Sequence, residues 1–234
     1  MSWILGIDTS STDLGIGLCH DAGPVASYTR YQKNSHAEHI EQAVTLMLQG
    51  NKVLPGDVTH IAVATGPGSF TGLRIGLAFV KGFCFGGATP VLPVSSLHVL
   101  AHGGLSVRAS SVIAAIDARR DEVFWAKFSI INSTVVRLTP DTLTPVRQFL
   151  DAIQPGDAVI TDTMGYALST VFGRLASNNA VFPVEQFPLQ RGLFCAKLGA
   201  TALLDGAAWK KSDDVLPNYL RDFVPPLPGK RGPE

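Results

Sequence analysis

Twelve residues, Thr65-Gly-Pro-Gly-Ser-Phe-Thr-Gly-Leu-Arg-Ile-Gly76, restrict the chain more than any other stretch. The apolar run Ile61–Ala64 leads into them and a longer one, Leu73–Phe85, leads out, so the pattern predicts strand, tight turn and helix. Pro67 stiffens the turn, and Ser69 or Thr71 is placed to cap the helix. The helix carries only Arg74 and Lys81 as charges, and a helix apolar nearly all round is buried on every side. Gly72 and Gly76, four residues apart, share one face, which predicts a side that a second helix can approach closely.

The loop has two readings. One is an anion cradle of backbone N–H groups at a helix N-terminus. The other is a tight connection whose glycines serve packing. No Lys follows at the Walker spacing, and after Gly66 and Gly68 the next glycine, Gly72, falls one residue late for the dinucleotide pattern. Packing is the better supported of the two.

The 234 residues suffice for one or two domains, and 46% apolar against 16% charged side chains describe a globular chain with a thin charged shell. Nineteen basic and nineteen acidic residues cancel, unlike a chain that grips nucleic acid alone. Low charge also leaves little to oppose self-association. No stretch reads as a signal peptide or a membrane span. Cys19, Cys84 and Cys195 are odd in number and far apart, which points to a reducing cytoplasm and away from a disulfide framework or zinc site.

The run Trp3–Asp8 ends at an acid, Thr9–Thr12 is a hydroxyl-rich turn, and Leu14–Cys19 and Val25–Tyr31 follow as strands. A helix opens at Asn34 or Ser35 and runs His36–Gln49. After the Gly-flanked helix come a strand Val91–Val94, a helix Ser95–His102 and a Gly-rich linker to Ser110. Val112–Asp117 then repeats the apolar run ending at an acid, with Glu122–Ile130 and Val135–Leu138 as returning strands, a weak internal duplication. Helices are expected at Val146–Ile153, Tyr166–Leu175 and Gly192–Leu204, and a strand at Ala158–Thr161. This gives an N-terminal lobe 1–104, a C-terminal lobe 105–224, and a Pro-rich tail 225–234 that does not fold alone.

Asp8 and Asp117 each end a strand at a turn, where facing lobes could hold Mg-nucleotide between them. Phosphates need glycine there for close backbone approach, and neither Asp8-Thr9-Ser10 nor Asp117-Ala118-Arg119-Arg120 supplies it. Structural turns are the preferred reading. His36/His39 and His98/His102 have metal-compatible spacing but give half a site at most. Ser69 lies in no nucleophile elbow. Lys210, Lys211, Arg221, Lys230 and Arg231 make the C-terminal end basic, read as a solvated tail in preference to an RNA contact.

These residues resemble the bacterial TsaB (YeaZ) family. The matching pieces are Ile4-Leu-Gly-Ile-Asp8-Thr9, the helix opening near His36, Gly66–Gly76, Pro93-Val-Ser-Ser-Leu97, Ala115-Ile-Asp-Ala-Arg119 with Glu122-Val123, and Pro217-Asn-Tyr-Leu-Arg221. The match is loose over Ser129–Phe187. The resemblance implies an α/β fold with two lobes of the actin/Hsp70/sugar-kinase (ASKHA) type, each a mixed β-sheet with crossing helices. It implies a cytoplasmic, non-catalytic subunit that holds no cofactor or metal alone. Its partner would be a larger, homologous, ATP-dependent TsaD-like subunit carrying ATP and Mg, joined by a small TsaE-like ATPase. That assembly attaches threonylcarbamoyl to the adenine beside the anticodon of tRNAs reading A-starting codons, and the chain alone would be a homodimer.

Expected at the partner interface are His36, Ile40, Val44, Gly72, Arg74, Gly76 and Val80, with Asp8, Asp117, Arg119 and Glu122 at the lobe cleft. No catalytic residue is assigned. The alternatives are an independent ATPase or small-molecule kinase of the same fold and, less supported, a peptidase.

Overall fold

The computed structural model describes residues 2–21, 23–31, 35–161, 181–183 and 189–220. The helix expected over Tyr166–Leu175, and Arg221, Lys230, Arg231 and the rest of the tail, lie outside the described residues.

The first sheet has five strands: β1 (Trp3–Asp8), β2 (Asp13–His20), β3 (Gly23–Tyr31), β4 (Val58–Gly66) and β5 (Val91–Ser95). Their order is β3-β2-β1-β4-β5, an antiparallel meander followed by two parallel strands. Helix α1 (His36–Gly50) links β3 to β4, and α2 (Phe70–Phe83) links β4 to β5. Two short helices, α3 (Ser96–Ala101) and α4 (Gly103–Ser106), lead to the second sheet.

That sheet repeats the plan. Strands β6 (Ser111–Arg119), β7 (Glu122–Ile131) and β8 (Thr134–Arg137) form the meander. Strand β9 (Thr142–Pro145) also pairs with β7, helix α5 (Val146–Ala152) crosses over, and β10 (Ala158–Thr161) and β11 (Val181–Pro183) add in parallel to β6. The duplication read from the two Asp-ended strands is thus a repeat of topology. Two mixed sheets with crossing helices are the architecture of the actin/Hsp70/sugar-kinase class.

The last α-helix among the described residues, α6 (Arg191–Leu204), crosses back to the first sheet. The first sheet's strands alternate large and small residues, and side-chain period 2 sends the two sets to opposite faces. Leu5, Ile7, Leu14, Ile16, Leu18, Ile61 and Val63 face α1 and α2 in one core. Ile4, Gly6, Gly15, Gly17, Cys19, Ala62 and Ala64 face α6. The helix lies almost on the sheet backbone: a Cβ at Gly6 would stand 2.1 Å from the Gly192 carbonyl oxygen, and one at Gly17 would stand 2.3 Å from Leu193 Cα. Only glycine allows this approach, and it sets Arg191, at the helix start, beside the end of β1.

Candidate functional site: the β1–β2 turn and the helix beside it

Asp8 closes β1 with its carboxylate turned to the α6 side. Oδ1 accepts the Ser10 amide N–H at 2.8 Å and the Ser10 hydroxyl at 2.6 Å. Oδ2 accepts Arg191 Nε at 2.9 Å, and Arg191 Nη2 donates to Ser10 Oγ at 2.9 Å. Asp8, Thr9, Ser10 and Arg191 are all at most 1% exposed. The Arg191 cation balances the Asp8 charge, which makes the burial of both tolerable.

The Gly66–Gly76 stretch wraps the same turn. Ser69 N–H donates to the Ser10 carbonyl at 2.7 Å. A Cβ would meet Ser10 O at 2.3 Å from Gly68, Thr9 O at 2.0 Å from Gly72, and Thr9 Oγ1 at 2.3 Å from Gly76. Ser69 caps α2, its Oγ accepting Gly72 N–H at 3.2 Å. Gly66 has φ +122°, which a side chain rarely adopts. Between the two readings of the loop, the glycines serve packing on the turn.

Helix α1 joins from the other side. His36 Nε2 donates to the Ser11 carbonyl at 2.9 Å, and its ring is buried. The acceptor is a carbonyl, so the proton resides on Nε2.

Most of the residues expected at the partner interface are turned inward in the lone chain. Ile40, Val44 and Val80 lie in the first lobe's own core, Gly72 and Gly76 press on Thr9, and His36 is bonded inward. Of the seven residues, only Arg74 is exposed. Its guanidinium sits 3.9 Å over the Phe70 ring and its Nε donates to Tyr219 Oη at 3.3 Å, while Phe70 stacks on Tyr219. Thr71, Arg74, Ala78 and Gly82 form the open face of α2, with Ile75 partly open beside them. Leu46, 59% exposed, is the large apolar residue on the open side of α1.

The second turn is built differently. Asp117 Oδ1 accepts the Arg119 amide at 2.7 Å. Arg119, Arg120 and Asp121 have φ of +62°, +56° and +58°, a left-handed turn at the β6–β7 hairpin. Arg119 and Arg120 are exposed, and Asp117 and Glu122 are partly buried. Asp8 and Asp117 therefore belong to separate hydrogen-bond networks. A groove of about 590 Å³ elsewhere, between β5, α6 and the β8–β9 loop, contains none of these four residues, and its Arg137 is paired with Asp141.

The donor set of the first turn does not fit a metal-bound nucleotide. Its residues Thr9, Ser10 and Ser11 all carry side chains, and the Arg191 guanidinium lies against the Asp8 carboxylate. The second histidine pair is engaged by carbonyls, His98 Nε2 with Val135 O and His102 Nδ1 with His98 O, while His39 of the first pair lies beside the Glu38 carboxylate. Among the described residues no group of three or more His, Cys, Asp or Glu converges to hold a metal. Burial pushes the Cys19 thiol up to about 11 and the Cys195 thiol well above its ordinary value, which disfavours thiolate chemistry. No described helix is long and apolar enough to cross a membrane.

Arg191 is what sequence reasoning missed. The available signal was the small-residue face Gly6, Gly15 and Gly17, which announces a closely packed helix but not its register.

Comparison with known proteins agrees with this architecture. The family model "TsaD: tRNA N6-adenosine threonylcarbamoyltransferase" matches residues 26–203. The Bacillus subtilis (strain 168) tRNA threonylcarbamoyladenosine biosynthesis protein TsaB is 34% identical over 155 residues, 66% of this chain and 67% of that protein. The Escherichia coli (strain K12) TsaB is 36% identical over 126 residues, 53% of this chain and 54% of that protein, so the match spans about half the length of that relative. The solved structure of YeaZ from Pseudomonas aeruginosa superposes with a TM-score of 0.78 at 26% identity, covering 94% of this chain and 100% of that one. Sequence and fold together place the chain in the TsaB (YeaZ) family of tRNA threonylcarbamoyladenosine biosynthesis proteins.

Proposed function

We propose that the chain is a non-catalytic subunit of the assembly that transfers threonylcarbamoyl to the adenine beside the anticodon in tRNAs reading A-starting codons. It docks a homologous TsaD-like subunit, which carries ATP and magnesium. A TsaE-like ATPase joins that pair, tRNA is reached through the complex, and the setting is the cytoplasm. Alone, the chain pairs with a second copy. The observation that carries this reading is the first turn: Asp8, the residue poised to serve a nucleotide, is buried and bonded by the chain's own Arg191. The open face of α2 supports the docking half. Ala78 and Gly82 are small, four apart and exposed, so a partner helix can come close.

Size-exclusion chromatography with the TsaD-like subunit tests it. The wild-type chain co-elutes and Ala78→Arg does not, with an unchanged melting temperature. Co-elution of Ala78→Arg would move the interface elsewhere, and micromolar Mg-ATP binding to the lone chain in calorimetry would end the non-catalytic reading.

A further inference from the structure

We infer that the β1–β2 turn is a cation receptor whose cation the chain supplies itself: the Arg191 guanidinium stands where a metal–phosphate group would otherwise be held. The inference rests on the reading above, that the lone chain carries no nucleotide. It adds what occupies the site instead and how it got there.

Three observations carry it. First, Asp8, Ser10 and Arg191 close a ring of hydrogen bonds, with Ser10 Oγ donating to Asp8 Oδ1 at 2.6 Å and accepting Arg191 Nη2 at 2.9 Å. The carboxylate's two oxygens are thereby divided, Oδ1 to the turn and Oδ2 to the incoming cation. A turn that folds around its own serine on one oxygen and presents the other to a buried guanidinium is built for a positive charge.

Second, the cation is delivered by dedicated packing. Arg191 opens α6, whose first turn reaches the sheet only through Gly6, Gly15, Gly17 and Gly192. A Cβ at Gly15 would meet Gly192 N at 2.7 Å, and one at Gly192 would meet Ile16 backbone atoms at 2.4 Å. A helix seated one side-chain layer higher would not bring its first residue to Asp8.

Third, the site is closed above. Ser69 N–H bonds to Ser10 O, and Gly68 and Gly72 lie against the turn's backbone, so nothing of phosphate size enters while Arg191 is in place. Leu189, only two residues before Arg191, is buried in the second lobe's core. The same cation therefore pins the crossing from one lobe to the other without a bound ligand.

Chemical rescue tests this on the full chain. Arg191→Ala leaves a guanidinium-shaped space beside a buried carboxylate. Thermal melts are recorded in millimolar guanidinium chloride and in matched sodium chloride. The wild type should show no gain from guanidinium over salt. Arg191→Ala should melt several degrees lower and regain half or more of that loss with guanidinium but not with sodium. The double variant Asp8→Asn/Arg191→Ala should not respond. Equal response to both salts in the single variant, or a guanidinium response that persists in the double, overturns the proposal.

If Arg191→Ala does not fold, Arg191→Lys and Arg191→Met decide. The cationic lysine should melt above the neutral, similarly sized methionine, and the reverse order overturns the proposal. Nucleotide binding by the wild type would instead strike at the functional reading, so the two failures are told apart.

Discussion

Arg191 Nε lies 2.9 Å from Asp8 Oδ2, and the two side chains are 1% and 0% exposed. Pairs of this kind contribute little net stability over well-packed apolar residues, yet removing one partner strands the other charge in the interior. Asp8→Ala or Arg191→Ala should therefore each cost about 3–5 kcal/mol in chemical denaturation. Replacing both, Asp8→Leu with Arg191→Met, should cost clearly less than the sum of the singles. Additive losses would show that the two residues act independently.

Gly76 and Thr9 give a second prediction. Gly76→Ala places a Cβ 2.3 Å from Thr9 Oγ1. That oxygen is buried, with no hydrogen-bond partner among the described residues. Gly76→Ala should destabilise by about 1–3 kcal/mol through overpacking. Adding Thr9→Ala should recover most of the loss, because the next contact is an ordinary 3.5 Å. Gly82 is the internal control: nothing lies within 4 Å of its Cβ position, so Gly82→Ala should stabilise by up to about 1 kcal/mol through helix propensity. Urea midpoints of the three variants against the wild type check this. A fully destabilising Thr9→Ala/Gly76→Ala pair would mean that the clash lies with backbone.

These residues also show what was legible. The strand–turn–helix reading of Thr65–Gly76 follows from local pattern, and β4 ends at Gly66 with α2 beginning at Phe70. The repeated Asp-ended strand located both meanders, because strand alternation and turn residues are local signals. The inward side of α2 was not legible. A helix apolar all round carries no stripe to orient it, so Gly72 and Gly76 read as an open face when they seat against Thr9. Arg191 was invisible for another reason. Its partner is 183 residues away, and nothing near Arg191 marks it as buried. The lack of glycine in Asp8-Thr9-Ser10 is again a local signal, legible without the fold.

A third prediction concerns acid. His102 is buried between His98 and the Phe194 ring, with its Nδ1–H on the His98 carbonyl. Burial pushes its pKa down to about 4; the bond to the His98 carbonyl opposes the shift, and the charges of the His98 ring and the Lys197 ammonium add to it. On the neighbouring side, His98 stacks on Phe128, whose ring carries the Arg137 guanidinium, and Asp141 pairs with Arg137. A base with a depressed folded pKa binds more protons when unfolded, so its neutral form costs nothing above pH 6.5 and opposes folding as pH falls toward 4. Between pH 7 and pH 5 this one group should remove about 2 kcal/mol of stability. His102→Phe keeps a ring in the stack and cannot titrate. Its urea-derived stability should fall less than the wild type's over that interval, by about that amount. Comparing the two chains cancels shared contributions, such as the raised Asp13 and lowered Asp157 carboxyls. Parallel pH profiles for wild type and variant would show that His102 is protonated in the folded chain as readily as in the unfolded one.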